Sequence, residues 1–166
     1  MKSLVVYFSN YGTTKKFAEE IARQTGSDIK RIEPVNKYDE DTSNYEELAK
    51  YAKKEHDENM RPEIKNINDF NIDDYDIIFI GYPMWWYTMP MIIYTFFEHF
   101  DFSGKILIPF NTHEGSMDGG TYATIRELEP NAKLLNGLPI RGFDLSKDQS
   151  EVIKKWLDNI KELLNE

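Results

Sequence analysis

Ser9, Thr13 and Thr14 bring three hydroxyls together in "VVYFSNYGTTKKFAEE", residues 5–20, with Asn10, Tyr11 and Gly12 between them. The stretch reads as an apolar strand, a polar turn and a helix start. A helix N-terminus leaves its first N–H groups without intrahelical acceptors. Those groups and the helix dipole favour an anion. The hydroxyls add donors, and Gly12 lets the backbone approach without a Cβ. A phosphate can therefore be held here with little formal positive charge, Lys15 being the nearest cation. An N-cap followed by a polar turn uses the same residue types, so the turn alone leaves both readings open.

Two further segments carry chemistry. "GYPMWWYTMP" (81–90) sets Trp85, Trp86 and Tyr87 in a row on a loop behind Pro83. Three consecutive side chains on an irregular loop cannot all point inward, so at least one is expected to be available to a planar ligand, with pure packing as the alternative. "PFNTHEGSMDGGT" (109–121) reads as a Gly-rich loop. Thr112, Ser116 and its backbone groups can meet the polar edge of a ring. His113 reads first as a surface histidine without a role, and second as a donor near charge on a reduced cofactor. Glu114 is similarly open. No histidine or carboxylate spacing suits a metal.

The elements that must position these loops alternate. Strand patterns are expected at 3–8, 28–35, 75–83, 105–110 and 133–140, the last interrupted by Gly137. Helical patterns fill 14–26, 45–58, 90–100, 119–129 and 146–166. The last has an apolar stripe of Val152, Ile153, Trp156, Leu157, Ile160, Leu163 and Leu164. Five strands alternating with helices predict one α/β domain, residues 1–166, with a parallel sheet covered on both faces. Ligands of such sheets sit beyond the carboxyl ends of the strands. All three loops fall there. The apolar segment "PMIIYTFFEHF" (90–100) reads as core, with a dimer face as the alternative.

Composition excludes several classes. The chain has 166 residues, 30% of them charged, a formal net charge of -9 and no cysteine. Disulfides, thiolate catalysis and iron–sulfur ligation are excluded, and a reducing cytoplasm is expected. The acidic balance argues against nucleic acid and for solubility or steering towards a basic partner. No apolar run reaches a membrane span, and no signal peptide is expected. Neither G-x-x-x-x-G-K-[ST] nor G-x-G-x-x-G occurs.

Together, "YFSNYGTT", "YPMWW" with its following proline, and "DFSGKILIPFNTHEGS" resemble the flavodoxin-like flavoproteins, in particular their short-chain flavodoxin branch. The resemblance spans essentially the whole chain. It departs from the family's [ST]-x-[ST]-G-x-T phosphate loop at Tyr11, where a hydroxyl amino acid of the Ser/Thr type is usual. It implies a flavodoxin-like three-layer, doubly wound fold with five parallel strands in the order 2-1-3-4-5. It also implies noncovalent FMN, with the phosphate on Ser9, Tyr11, Gly12, Thr13 and Thr14. The isoalloxazine would lie between Pro83, Trp85, Trp86 and Tyr87 on one side and Thr112, Glu114, Gly115 and Ser116 on the other. The third loop has no aromatic residue between Asn111 and Thr121, so one ring face is expected to be more open. The cofactor performs the electron chemistry, and no side chain needs to be a catalytic acid, base or nucleophile. The implied function is low-potential electron transfer to redox partner proteins, by a monomer or weak homodimer. The alternatives are an FMN-dependent NAD(P)H:quinone-type oxidoreductase and a phosphate-binding protein without turnover.

Overall fold

The computed structural model describes residues 1–165. Its strands are β1 (Ser3–Tyr7), β2 (Asp28–Arg31), β3 (Ile77–Pro83), β4 (Ile106–His113), β5 (Lys133–Leu134) and β6 (Leu138–Arg141). Its helices are α1 (Thr13–Thr25), α2 (Tyr45–Asp57), α3 (Met91–His99), α4 (Thr121–Leu128) and α5 (Ser150–Leu164). The sheet runs β2-β1-β3-β4-β5, and β6 also pairs with β4. Every one of these pairings is parallel. The expected order 2-1-3-4-5 is therefore observed, with one strand more than expected.

Period-two alternation divides the core. Leu4, Val6 and Phe8 of the first strand region join Ile78, Ile80 and Tyr82 of β3 on one face. Leu48 of α2, Phe96 of α3 and Ile125 of α4 cover them. Val5, Tyr7, Ile77 and Phe79 point the other way, where α1 and α5 cover them through Phe17, Ile21, Trp156 and Ile160. Successive side chains on a strand must face opposite sides, so two buried faces require the near-continuous apolar runs of β1 and β3.

The fifth expected strand is two short ones because of a bulge. Leu107 pairs with Leu134 and Phe110 with Leu138, so three residues between β5 and β6 face two of β4. The extra residue breaks the ladder. It does so opposite Pro109, which has no N–H to offer. Gly137 is required there, since a Cβ would stand 2.6 Å from the Pro109 carbonyl oxygen and 2.6 Å from the Tyr122 ring.

Three other expectations change. β4 continues through Asn111, Thr112 and His113 rather than ending at Phe110, because β3 pairs with it as far as Thr112 and β6 as far as His113. α5 begins at Ser150, four residues later than expected, after a 3-10 turn over Gly142–Ser146. Glu166 lies outside the described residues. Val152 is exposed and leaves the buried stripe, whereas Ile153, Trp156, Leu157 and Ile160 remain in it. In α3, Met91, Ile92, Ile93, Phe96 and Phe97 are buried, so its apolar side is core. Among the described residues no helix is long and apolar enough to cross a membrane.

Candidate functional site

The first loop leaves β1 and enters α1 within a few residues. Gly12 caps the helix at φ 91°. Nothing lies within 4 Å of a Cβ built on it. The glycine is needed for its left-handed backbone, not for room. The Gly12 N–H donates to Ser9 Oγ at 3.1 Å. Thr13 and Thr14 therefore open the helix instead of closing the loop. Thr14 is buried, and its hydroxyl pairs with that of Thr112 at 2.9 Å. Arg31, at the end of β2, donates from Nη2 to the Ser9 carbonyl at 2.7 Å and pins the start of the loop.

These residues enclose a cavity of about 90 Å³ lined by Ser9, Asn10, Tyr11, Thr13, Thr14, Pro83, Thr112, Glu114 and Gly142. It is well below the roughly 300 Å³ at which drug-sized ligand pockets begin. It can take one small group, and anything larger must extend outwards. Helix N–H groups and hydroxyls supply the donors. The Glu114 carboxylate opposes them: its Oε1 would stand 2.8 Å from a Cβ added at Gly142, and Thr13 Cγ2 3.6 Å. Tyr11 lines the cavity, but its ring tilts against Tyr45 with centroids 6.5 Å apart. Its buried hydroxyl has no hydrogen-bond partner among the described residues. Burial, and then Tyr45, raise that phenol's pKa.

The second loop is a tight hairpin. Trp85 and Thr88 exchange backbone hydrogen bonds at 2.9 and 3.2 Å. Trp86 and Tyr87 between them have φ of 50° and 64°. Positive φ at both central residues marks a primed turn, which glycine and asparagine normally fill. The three aromatics then separate. Trp85 packs edge-on against Phe8 and Tyr38, with centroids 5.3 and 5.1 Å away. The Trp86 indole N–H donates to the Ala49 carbonyl of α2 at 2.7 Å. Tyr87 is 82% exposed. Tyr38, which braces Trp85, is itself held by the buried carboxylate of Glu55, to which its hydroxyl donates at 2.5 and 2.6 Å.

The third loop begins at Glu114. Asn111 anchors it, donating from Nδ2 to the Met117 carbonyl at 2.9 Å and accepting the Tyr122 hydroxyl at Oδ1. Tyr82 and Thr121 share a hydroxyl hydrogen bond of 2.7 Å at its far end. Thr112 and His113 are buried on β4, so the expectation of a surface histidine is corrected. His113 Nδ1 accepts the Gly115 N–H at 2.9 Å, which leaves the ring proton on Nε2. Burial holds the imidazole below the usual histidine range, with the nearby Glu114 charge opposing.

The cavity thus gathers Ser9, Tyr11, Thr13 and Thr14 with Pro83, Thr112 and Glu114. Thr112 and Glu114, expected beside a ring, stand on the hydroxyl-rich side. Gly12 lines a neighbouring cavity with Lys15 and Arg31. Trp85, Trp86, Tyr87, Gly115 and Ser116 do not line the small cavity. Two lining residues were missed. Asn10 lay inside the quoted turn, where its amide drew no notice. Gly142 carries no local signal, because only the pairing of β6 with β4 brings it near. Among the described residues no group of histidines and carboxylates could hold a metal ion.

A doubly wound parallel sheet with a hydroxyl-lined cradle at the β1 and β4 carboxyl ends defines the class of open α/β proteins whose ligand sites lie at the topological switch point. A family model described as Flavodoxin matches residues 2–160. The chain belongs to the flavodoxin family. It is 34% identical to a protein of Bacteroides eggerthii DSM 20697 assigned as a flavoprotein, with 96% of this chain and 98% of that one covered and a TM-score of 0.82. A Bacteroides uniformis ATCC 8492 protein of the same assignment is 30% identical, covering 95% and 97%, with a TM-score of 0.82. A Lactobacillus acidophilus NCFM flavoprotein in complex with FMN is 22% identical, covering 92% and 97%, with a TM-score of 0.65. No curated protein matches the chain significantly.

Proposed function

We propose that the protein binds FMN noncovalently and carries electrons at low potential between redox partner proteins of the cytoplasm. The observation that carries this reading is the small cradle in which Ser9, Thr13, Thr14 and Thr112 meet the N-terminus of α1. Its donor set suits a phosphate monoester, and its size suits the phosphate alone. The flavodoxin membership and the FMN complex of the Lactobacillus acidophilus protein support the same ligand. Ser9, Gly12, Thr13 and Thr14, with Thr112 added from β4, would hold the phosphate. Pro83 and Tyr87, with Gly115 and Ser116 opposite, would flank the ring. When bound, the flavin supplies reversible one- and two-electron chemistry. The chain supplies position and field. Glu114 beside the cradle and the formal charge of -9 disfavour added negative charge, which lowers the reduction potential.

A second reading, an FMN-dependent NAD(P)H:quinone-type oxidoreductase, draws on the third loop. Gly115, Ser116 and Met117 are exposed and offer no aromatic cover, so a substrate could reach a ring held there. A redox titration of the FMN-loaded protein, with NADPH oxidation assayed alongside, separates the two. Two resolved one-electron steps with negligible NADPH oxidation support the carrier. Rapid NADPH oxidation with a quinone overturns it in favour of the enzyme.

Thr14→Val tests the cradle itself. It removes a hydroxyl that would donate to the phosphate, a loss of roughly 1.5–3 kcal/mol for a hydrogen bond to a charged group. FMN affinity should fall about tenfold or more, while riboflavin affinity barely changes. Equal losses for both ligands would remove the phosphate assignment.

A further inference from the structure

On the β2 side of β1 a second cavity, of about 240 Å³, opens next to the phosphate loop. Its apolar lining is Phe8, Pro34, Val35 and Tyr38, its cations are Arg31, Lys37 and Lys65, and its carboxylates are Glu33 and Glu40. Phe8 and Tyr38 are both buried, with ring centroids 5.8 Å apart, and each meets Trp85 edge-on. Three cations against two carboxylates, Glu33 and Glu40, leave this mixed polar and apolar cavity a small positive excess in a chain whose formal charge is -9.

The cations are incompletely paired. Arg31 gives Nη2 to the Ser9 carbonyl, but its buried Nε has no hydrogen-bond partner among the described residues. Glu40 is its ion-pair contact at 3.8 Å, and the same carboxylate oxygen lies 3.4 Å from Lys37. At those distances, and with side chains 37–73% exposed, the contacts are loose and contribute little. Glu33 also lines the cavity, and Lys65 has no carboxylate within ion-pair distance among the described residues. Glu40 therefore occupies the position an external anion would take.

We infer that this cavity is a binding site for a small aromatic oxyanion, its ring against Pro34 and Val35 and its phosphate or carboxylate on Arg31, Lys37 and Lys65. The volume exceeds what a bare oxyanion needs, and Pro34 and the exposed Val35 offer apolar surface to a ring. Asn10 lines both this cavity and the phosphate cradle, so the ligand would sit beside FMN, not in its place. The inference stands apart from the FMN reading, since none of its three cations belongs to the donor set of the cradle.

Calorimetric titrations with 5′-AMP, benzoate, adenosine and inorganic phosphate test it, each with and without saturating FMN. At least one of 5′-AMP and benzoate should bind about tenfold or more tighter than adenosine and inorganic phosphate. The tighter of the two identifies the oxyanion as a phosphate ester or a carboxylate. FMN should not compete, and amide resonances of Val35, Lys37 and Lys65 should shift. Lys37→Gln and Lys65→Gln should each weaken binding about threefold or more, and Glu40→Gln should tighten it by a similar factor. All three side chains are exposed, so unchanged thermal midpoints will show the fold intact. The inference is overturned if neither ring-bearing anion binds better than phosphate. Competition with FMN, or a Glu40→Gln variant that binds no tighter, overturns it equally. Failure of FMN to bind at all would remove the proposed function and leave this titration readable.

Discussion

Glu114 lines the cradle opposite the α1 N-terminus, where a phosphate would feel both. The helix dipole and hydroxyls attract an anion, and the carboxylate repels it. Two unit charges about 4 Å apart interact by roughly 1 kcal/mol even at the dielectric constant of water. Glu114→Gln should therefore tighten FMN binding by about threefold to tenfold. Riboflavin, which lacks the phosphate, should be unaffected. The same substitution should raise the reduction potential, because one negative charge near the flavin is gone. Paired fluorescence titrations with FMN and riboflavin read the first effect. A loss of FMN affinity would mean that Glu114 serves the ring edge, as sequence alone suggested, and not the field around the phosphate. Thr14 and Thr112 show why sequence could name both residues but not their relation. They lie 98 positions apart, and only the β1-β3-β4 adjacency brings their hydroxyls together.

Element boundaries follow from pairing partners as much as from local pattern. The apolar runs of β1 and β3 and the stripes of α1 and α5 were legible because each is repeated along its own element. The extension of β4 over Asn111–His113 was not, since a polar "NTH" reads as loop until β6 lies beside it. The hairpin at Trp85–Thr88 was hidden because aromatic residues rarely hold its positive φ values. Each such residue costs about 1–2 kcal/mol. Tyr87 is 82% exposed and has no side-chain hydrogen bond among the described residues, so Tyr87→Gly should stabilise the apoprotein by about 1 kcal/mol in urea unfolding. The same variant should bind FMN more weakly if Tyr87 covers the ring, which would explain why a strained aromatic is kept there. A destabilised apoprotein would refute the strain argument. Glu129, which caps the C-terminus of α4, offers a second test at this scale. Burial, then the charge of Asp101, push its carboxyl up from 4.5 to about 7. The helix dipole also disfavours a negative charge at that end. The folded protein thus binds more protons than the unfolded chain between those values. Stability from this group is fully present below about pH 4.5 and is lost as pH rises through about 7. Glu129→Gln should remove that slope and leave the protein about 1–2 kcal/mol more stable at pH 8, after allowance for solvent screening. Urea unfolding at pH 5 and pH 8 reads it, and a gain equal at both pH values would count against the assignment.

At the scale of the whole molecule, a parallel sheet places every strand's carboxyl end on one edge, and the loops there carry both ligand groups and surface. The apolar side of α3 is spent on the core. Tyr87, Met117 and Phe143 are exposed on loops that follow β3, β4 and β6, so all three stand on the ligand edge. Glu114, Asp118 and Asp144 belong to the same loops. Exposed apolar side chains among carboxylates suit a partner with an apolar contact patch and a basic rim. Long-range attraction from a chain of charge -9 would steer such a partner to the edge where the ring is expected. Steering fades with salt, because the Debye length is only about 8 Å at physiological ionic strength. Electron transfer from the reduced protein to a basic haem protein should therefore slow by about tenfold or more between low and physiological salt. Transfer to an acidic haem protein of similar potential should quicken over the same range. Stopped-flow measurements on both acceptors, at several salt concentrations, make the comparison. Equal salt dependence for the two would show that the acid on this surface serves solubility alone, and the partner class argued from charge would fall with it.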